Sequence, residues 1–189
     1  TNNQSSTFSD YLLPPVFSAS SGIYDTAFKV SISNPNGGDS YIQFTTDGND
    51  PPTFAPVYNG DSISVNSTTI LKAFAIAPGI LPSPITAASY VFGVDHTTPV
   101  LSVVTDNNNL YGASGIFDNW WFDWQKAAYV YYFDSTKQLI FSQNTGMQID
   151  GGAGGSRAHP QHSFRLELDN GLLGAGAVNY KVIPNRPNR

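Results

Sequence analysis

From residue 16 to residue 92, short alternations of apolar and polar positions recur, with turn chemistry between them. Phe28, Val30 and Ile32 alternate with Lys29, Ser31 and Ser33, and Ile42 and Phe44 alternate with Tyr41, Gln43 and Thr45. Ile63/Val65, Leu71/Ala73/Ala75 and Tyr90/Phe92 keep the same period of two, which sets successive side chains on opposite faces of a strand. The runs NPNGGD, TDGNDPP, YNGD and APG separate them, rich in residues that supply positive φ, a fixed φ or a side-chain cap. This spacing predicts six or seven short strands and an immunoglobulin-like Greek-key sandwich over residues 14–93.

GVDHTTP is short and polar and ends in Pro99, so residues 94–98 read as a linker. Beyond it, residues 100–105, 127–133, 139–142, 147–149 and 163–168 are strand-like, and another strand is expected near Ile183. In the clearest of them Phe164, Leu166 and Leu168 face one way, Arg165 and Glu167 the other. No segment keeps a 3.6-residue period. The prediction is an all-β chain: residues 1–13 as a flexible lead-in, the sandwich, and a second β-rich module over 99–189.

Composition narrows the class. Of 189 residues only 12% are charged and 13% are aromatic. Thirteen acids are Asp, and the one Glu is Glu167. Scarce Glu and Lys with abundant Thr, Ser, Asn, Gly and Tyr disfavour long helices and suit exposed β-structure. The absence of cysteine excludes disulfides, thiolate metal sites and cysteine nucleophiles. A net charge of −5 argues against a nucleic-acid partner, which calls for a basic face. The charge is uneven: residues 1–125 hold ten Asp against Lys29 and Lys72, for −8, and residues 126–189 hold four acids against seven bases, for +3. No apolar run is long enough to span a membrane. The start at Thr1 reads as a processed or trimmed end, and the composition as that of a secreted or cell-surface protein.

Two stretches resemble known families. The markers SGIY, TTDGNDP, STTILKAFA and PGILPS follow one another in residues 16–92, which resemble the small immunoglobulin-like domain at the C-terminus of chitobiases and β-hexosaminidases. That resemblance implies a non-catalytic accessory module. Residues 98–189 resemble the opening part of the CotH (spore-coat protein H) kinase-like family. The residues that carry it are Gly146, Ile149, Gly151, Gly152, Ser156, Arg157, Pro160, Gln161, Ser163, Phe164 and Arg165, with the tail VIPNRPNR. His162 stands where that family has Lys, and the metal-binding carboxylates of such a kinase would fall beyond Arg189.

Candidate chemistry is thin, and each candidate has an ordinary structural explanation. Gly151, Gly152, Gly154 and Gly155 with Arg157 and His162 offer amides and cations to a nucleotide phosphate; a tight turn needing positive φ explains the same glycines. His162 is shorter than Lys and mostly neutral at pH 7. His159 and His162 lack the third ligand that a metal site wants, and Asp47 and Asp50 fit an Asx-turn as well as calcium. No metal and no cofactor is expected. Trp120, Trp121 and Trp124 offer stacking surface to a sugar or a partner, or else plug a core. Asn3 and Asn66 fit the glycosylation pattern.

Three functions follow: a structural or adhesive module outside the cell, the non-catalytic opening of a CotH-type kinase, or a carbohydrate-binding module. The expected partners are other protomers, later domains of a parent protein, or glycans. An incomplete second sheet is expected to recruit neighbouring copies, for example through the apolar segment 8–16, and so to propagate as a fibre.

Overall fold

The computed structural model describes residues 11–152, 154–169, 173–180 and 182; Asn3, most of the expected lead-in and the strand expected near Ile183 lie outside the described residues. The described residues are nearly all β, with 42% strand and 4% helix in several sheets. It divides into two compact units, Thr1–Thr98 and Pro99–Arg189.

The first unit contains β1 (Val16–Phe17), β2 (Gly22–Tyr24), β3 (Phe28–Val30), β4 (Ile32–Ser33), β5 (Tyr41–Thr45), β6 (Ile63–Val65), β7 (Thr69–Ile76) and β8 (Thr86–Phe92). A four-stranded sheet runs β2-β8-β7-β5, and β1–β4 and β3–β6 form two-stranded sheets. The expected count of six or seven is corrected to eight. The alternation over Phe28, Val30 and Ile32 is not one strand: β3 pairs with β6 and β4 with β1, so the chain changes sheets at Ser31. Val30, Ile32, Ile42, Val65, Leu71, Ala73, Ala88 and Tyr90 form the core. Each large aliphatic side chain buried there contributes about 1.5–3 kcal/mol. Tyr90 is fully buried and donates its hydroxyl to the Ala19 carbonyl at 3.0 Å; burial pushes its phenol well above the usual range.

The TDGNDP segment is a turn held by its own side chains. Asp47 Oδ1 accepts from the Asn49 amide at 3.0 Å and Oδ2 from Asn49 Nδ2 at 2.8 Å, the Asx-turn geometry. Gly48 has φ +86°, the left-handed region that favours glycine. Asp50 Oδ1 meets Lys72 Nζ at 2.7 Å, and the Lys72 side chain is 7% exposed. The central strand β7 thus buries a lysine whose counter-charge comes from a loop 22 residues away.

The second unit contains β9 (Val100–Val104), the short helix α1 (Asn107–Leu110), β10 (Gln125–Phe133), β11 (Leu139–Asp150), a 3-10 turn (Ser156–Ala158) and β12 (Ser163–Glu167). The four strands form an antiparallel sheet in the order β12-β11-β10-β9. The two strands expected at 139–142 and 147–149 are one, 12 residues long. Its polar middle pairs with β10, Gln143 opposite Val130 and Thr145 opposite Ala128, and Thr145 is fully buried. Partnership with β10 overrides the polar pattern there. Directly opposed residues share a face, so Leu101, Val103, Val130, Tyr132, Met147, Ile149, Phe164 and Leu166 lie on the same side of the sheet. Among the described residues, no helix is long and apolar enough to cross a membrane.

Candidate functional site

The described part of the second unit carries its chemistry in one loop, between α1 and β10. Asp106 caps α1 by accepting from the Asn108 amide at 2.8 Å. The chain then folds back on itself. Gly112 N–H donates to Asp118 Oδ2 at 2.6 Å, and Asn119 Nδ2 donates to the carbonyls of Gly112 and Gly115 at 3.0 and 2.9 Å. Gly115 is buried, and a Cβ there would run into the backbone of Leu110 and Tyr111. Ile116, 1% exposed, drives into the sheet face beside Ala128, Met147 and Ile149. The loop is therefore anchored by a buried isoleucine and tied by two polar side chains.

This folding divides the three tryptophans. Trp120 and Trp124 pack against the core around Ile116, as the core-plugging reading of the cluster requires for two of them. Trp121 is 54% exposed, and its neighbour Phe122 is 46% exposed. The rings form a connected series: Trp120 meets Trp121 edge-on at 5.7 Å, Trp121 meets Phe122 at 5.7 Å, and Phe122 stacks on Trp124 at 4.7 Å. The series extends in the other direction through His162, 6.2 Å from Trp120 and 5.2 Å from Phe117, to Tyr111 and Phe164. Two candidates far apart in sequence, the tryptophans and the His162 region, are thus brought onto one surface.

Beside the exposed rings lies a shallow pocket of ≈360 Å³ lined by Ser114, Asp123, Trp124, Gln125 and Lys126. Lys126 Nζ lies over the Trp124 ring, 5.6 Å from its centroid. Asp123 Oδ1 meets Arg157 at 2.7 Å, and Arg157 also donates to the Ile149 carbonyl at 2.9 Å. The Arg157 side chain is 12% exposed, so it acts in this structure as a brace between the loop and β11. Gln125 donates to Glu167 at 2.7 Å.

The glycine loop is placed differently from a phosphate cradle built around a free arginine. Gly151 has φ +111°, and a Cβ on it would strike the Ser156 side chain, so a turn requirement explains this glycine. Gly152 and Gly154 are exposed and Gly155 is half-buried. The His162 ring lies between Phe117 and Trp120 with its Nδ1 buried. His159 is exposed, and the described residues contain no cluster of three or more metal-ligating side chains. Asn66 is exposed between β6 and β7.

The sequence pattern singles out the tryptophans but not Phe122, Asp123, Gln125 and Lys126, which complete the surface. The signal was the density of aromatic, Asp and amide residues in the run FDNWWFDWQK. A second feature, on the same sheet face, is an apolar groove of ≈560 Å³ whose walls include Leu101, Val103, Tyr111, Phe117, Phe164 and Leu166.

No curated protein and no solved structure matches this chain. The match to families stops short of the second unit and gives no support to a CotH segment. Residues 19–87, most of the first unit, match the family of the chitobiase/beta-hexosaminidase C-terminal domain, a β-sandwich accessory module of glycosidases.

Proposed function

We propose that this chain is a non-catalytic, adhesive accessory segment of an extracellular or cell-surface protein, and that it holds glycan on the aromatic surface of its second unit. The observation that carries the reading is the pair Trp121 and Phe122, two large rings left half-exposed on a loop that is otherwise tightly tied down. Contiguous exposed aromatics mark contact sites, and flat apolar rings flanked by hydrogen-bonding groups suit sugar rings, which have apolar faces and hydroxyl edges. The match of the first unit to a module of carbohydrate-processing enzymes favours the same class of ligand. The test is retention of the full chain on insoluble polysaccharides, with tryptophan fluorescence as readout. Trp121→Ala and Phe122→Ala should each weaken retention about tenfold. Absence of retention on any polysaccharide, with unchanged fluorescence, overturns the reading.

A second reading is favoured by the groove. Leu101, Val103 and Phe164 are 49%, 39% and 45% exposed, and β9 and β12 are the edges of their sheet among the described residues. Apolar faces beside open edges recruit strands of other chains, so copies of this protein would associate there, end to end as a fibre. A particle that stays monomeric at high concentration rules this out. The resemblance of residues 98–189 to the opening of a CotH-type kinase remains a proposal of lineage, without activity in this chain.

A further inference from the structure

Resting on the glycan reading of this same site, we infer that the ligand is an acidic saccharide, a chain containing uronic acid, whose carboxylate is held by Lys126. Two charged residues line the pocket, Asp123 and Lys126. Arg157 is paired with Asp123 at 2.7 Å, and Arg165 with Asp150 at 2.6 Å and Glu167 at 3.8 Å. Lys126 has no carboxylate within ion-pair distance among the described residues; its partner is the Trp124 ring. An ammonium carries three donors and no acceptor, so the group that completes it is an anion or an acceptor oxygen. Asp123, the pocket's own carboxylate, is neutralised by Arg157 and so does not repel an incoming acid as strongly as a free Asp would.

The surroundings favour a sugar acid over other anions. The ammonium lies over the Trp124 ring, on which Phe122 stacks, with Trp121 next in the series. A uronic acid presents an apolar ring face and, on C5 of the same ring, an exocyclic carboxylate, which matches rings beside a single cation. The planar guanidinium that would grip a phosphate with two donors, Arg157, is already engaged by Asp123 and the Ile149 carbonyl. The second unit does not oppose an anion as a whole: Pro99–Arg189 holds seven acidic and seven basic residues.

The experiment measures affinity of the full chain for oligogalacturonate and for its carboxyl-reduced, neutral counterpart of equal length. The acidic form should bind about tenfold more tightly, as one charge-assisted contact implies, and the difference should shrink with added salt. Lys126→Gln should abolish the preference, so that the variant binds the acidic and the neutral form with equal affinity. Lys137→Gln, a change of equal charge on the β10–β11 turn, should leave the preference intact. Equal affinity for both forms overturns this inference while the glycan reading stands. Failure of both to bind, when a neutral polysaccharide is retained, also overturns it; failure of every saccharide overturns the two together. A preference that Lys137→Gln reduces as much as Lys126→Gln is bulk electrostatics and refutes the assigned contact. Tighter binding to an acidic peptide than to oligogalacturonate refutes the ligand class.

Discussion

Asp50→Ala is the sharpest test of the reading of the first unit, because it removes the carboxylate in direct contact with a nearly buried lysine. Lys72 Nζ and Asp50 Oδ1 are 2.7 Å apart, with the lysine side chain 7% exposed and the aspartate side chain 51% exposed. Breaking a fully buried pair costs about 3–5 kcal/mol, whereas an exposed pair is worth about 0–1 kcal/mol. This pair lies between the limits, since water can reach the vacated side of Lys72, and the expected loss is about 2 kcal/mol. For a unit of this size each 1 kcal/mol moves the midpoint by about 4–8 °C, so the transition should fall by roughly 8–16 °C. Lys72→Met keeps the packed stem and removes the charge, and should cost less than about 1 kcal/mol. The double variant should then recover most of the loss caused by Asp50→Ala alone. Calorimetry of the full chain, with the two single variants and the double, closes the cycle. A midpoint shift under about 2 °C for Asp50→Ala, or a double variant no better than Asp50→Ala, would refute the assignment of the pair as the support of β7.

The remaining predictions address the turn, the aromatic loop and the glycine loop. Hydrogen bonds from the Asn49 side chain and amide hold the Asp47 carboxyl below its usual range, so its contribution to stability is complete above about pH 4 and is lost as pH falls through the lower folded value. Thermal midpoints from pH 6 to pH 2.5 should therefore fall less steeply for Asp47→Asn than for the parent, and identical slopes would argue against the Asx-turn. Gly115→Ala, whose new methyl meets the backbone of Leu110 and Tyr111, should displace the aromatic loop. Tryptophan emission should shift and polysaccharide retention should drop, whereas unchanged emission would mean that the loop does not need that close approach. Arg157→Ala should lower stability by about 1–3 kcal/mol, because Asp123 and the Ile149 carbonyl lose a donor. It should leave titration with magnesium-ATP as flat as in the parent; saturable ATP binding that Arg157→Ala removes would restore the phosphate-cradle role.

The strands were legible where their side chains alternate and their ends carry turn residues. The alternation expected at 163–168 is present in β12, and the residues of β5, β6, β7 and β8 sit where period and punctuation put them. The composition disfavours long helices, and the four-residue α1 is the one α-helix among the described residues. The chemistry of TDGNDP was legible as well, because an Asp that accepts from the backbone amide two residues on caps locally and needs no distant contact.

What tertiary structure decided was everything that depends on a partner far along the chain. The polar stretch Gln143–Asn144–Thr145 reads as an interruption, yet it is the middle of β11, since ladder hydrogen bonds to β10 act on the backbone whatever the side chains are. The burial of Lys72 is invisible locally because its compensation, Asp50, arrives from another loop. NWWFDW could not announce which indole is exposed: Ile116 and the Asn119 ties set the loop's rotation on the sheet, and that rotation sends Trp120 and Trp124 to the core and Trp121 to water. Local periodicity and turn chemistry act over a few residues and can be read in order; burial, charge pairing and the facing of a ring depend on what the fold brings alongside.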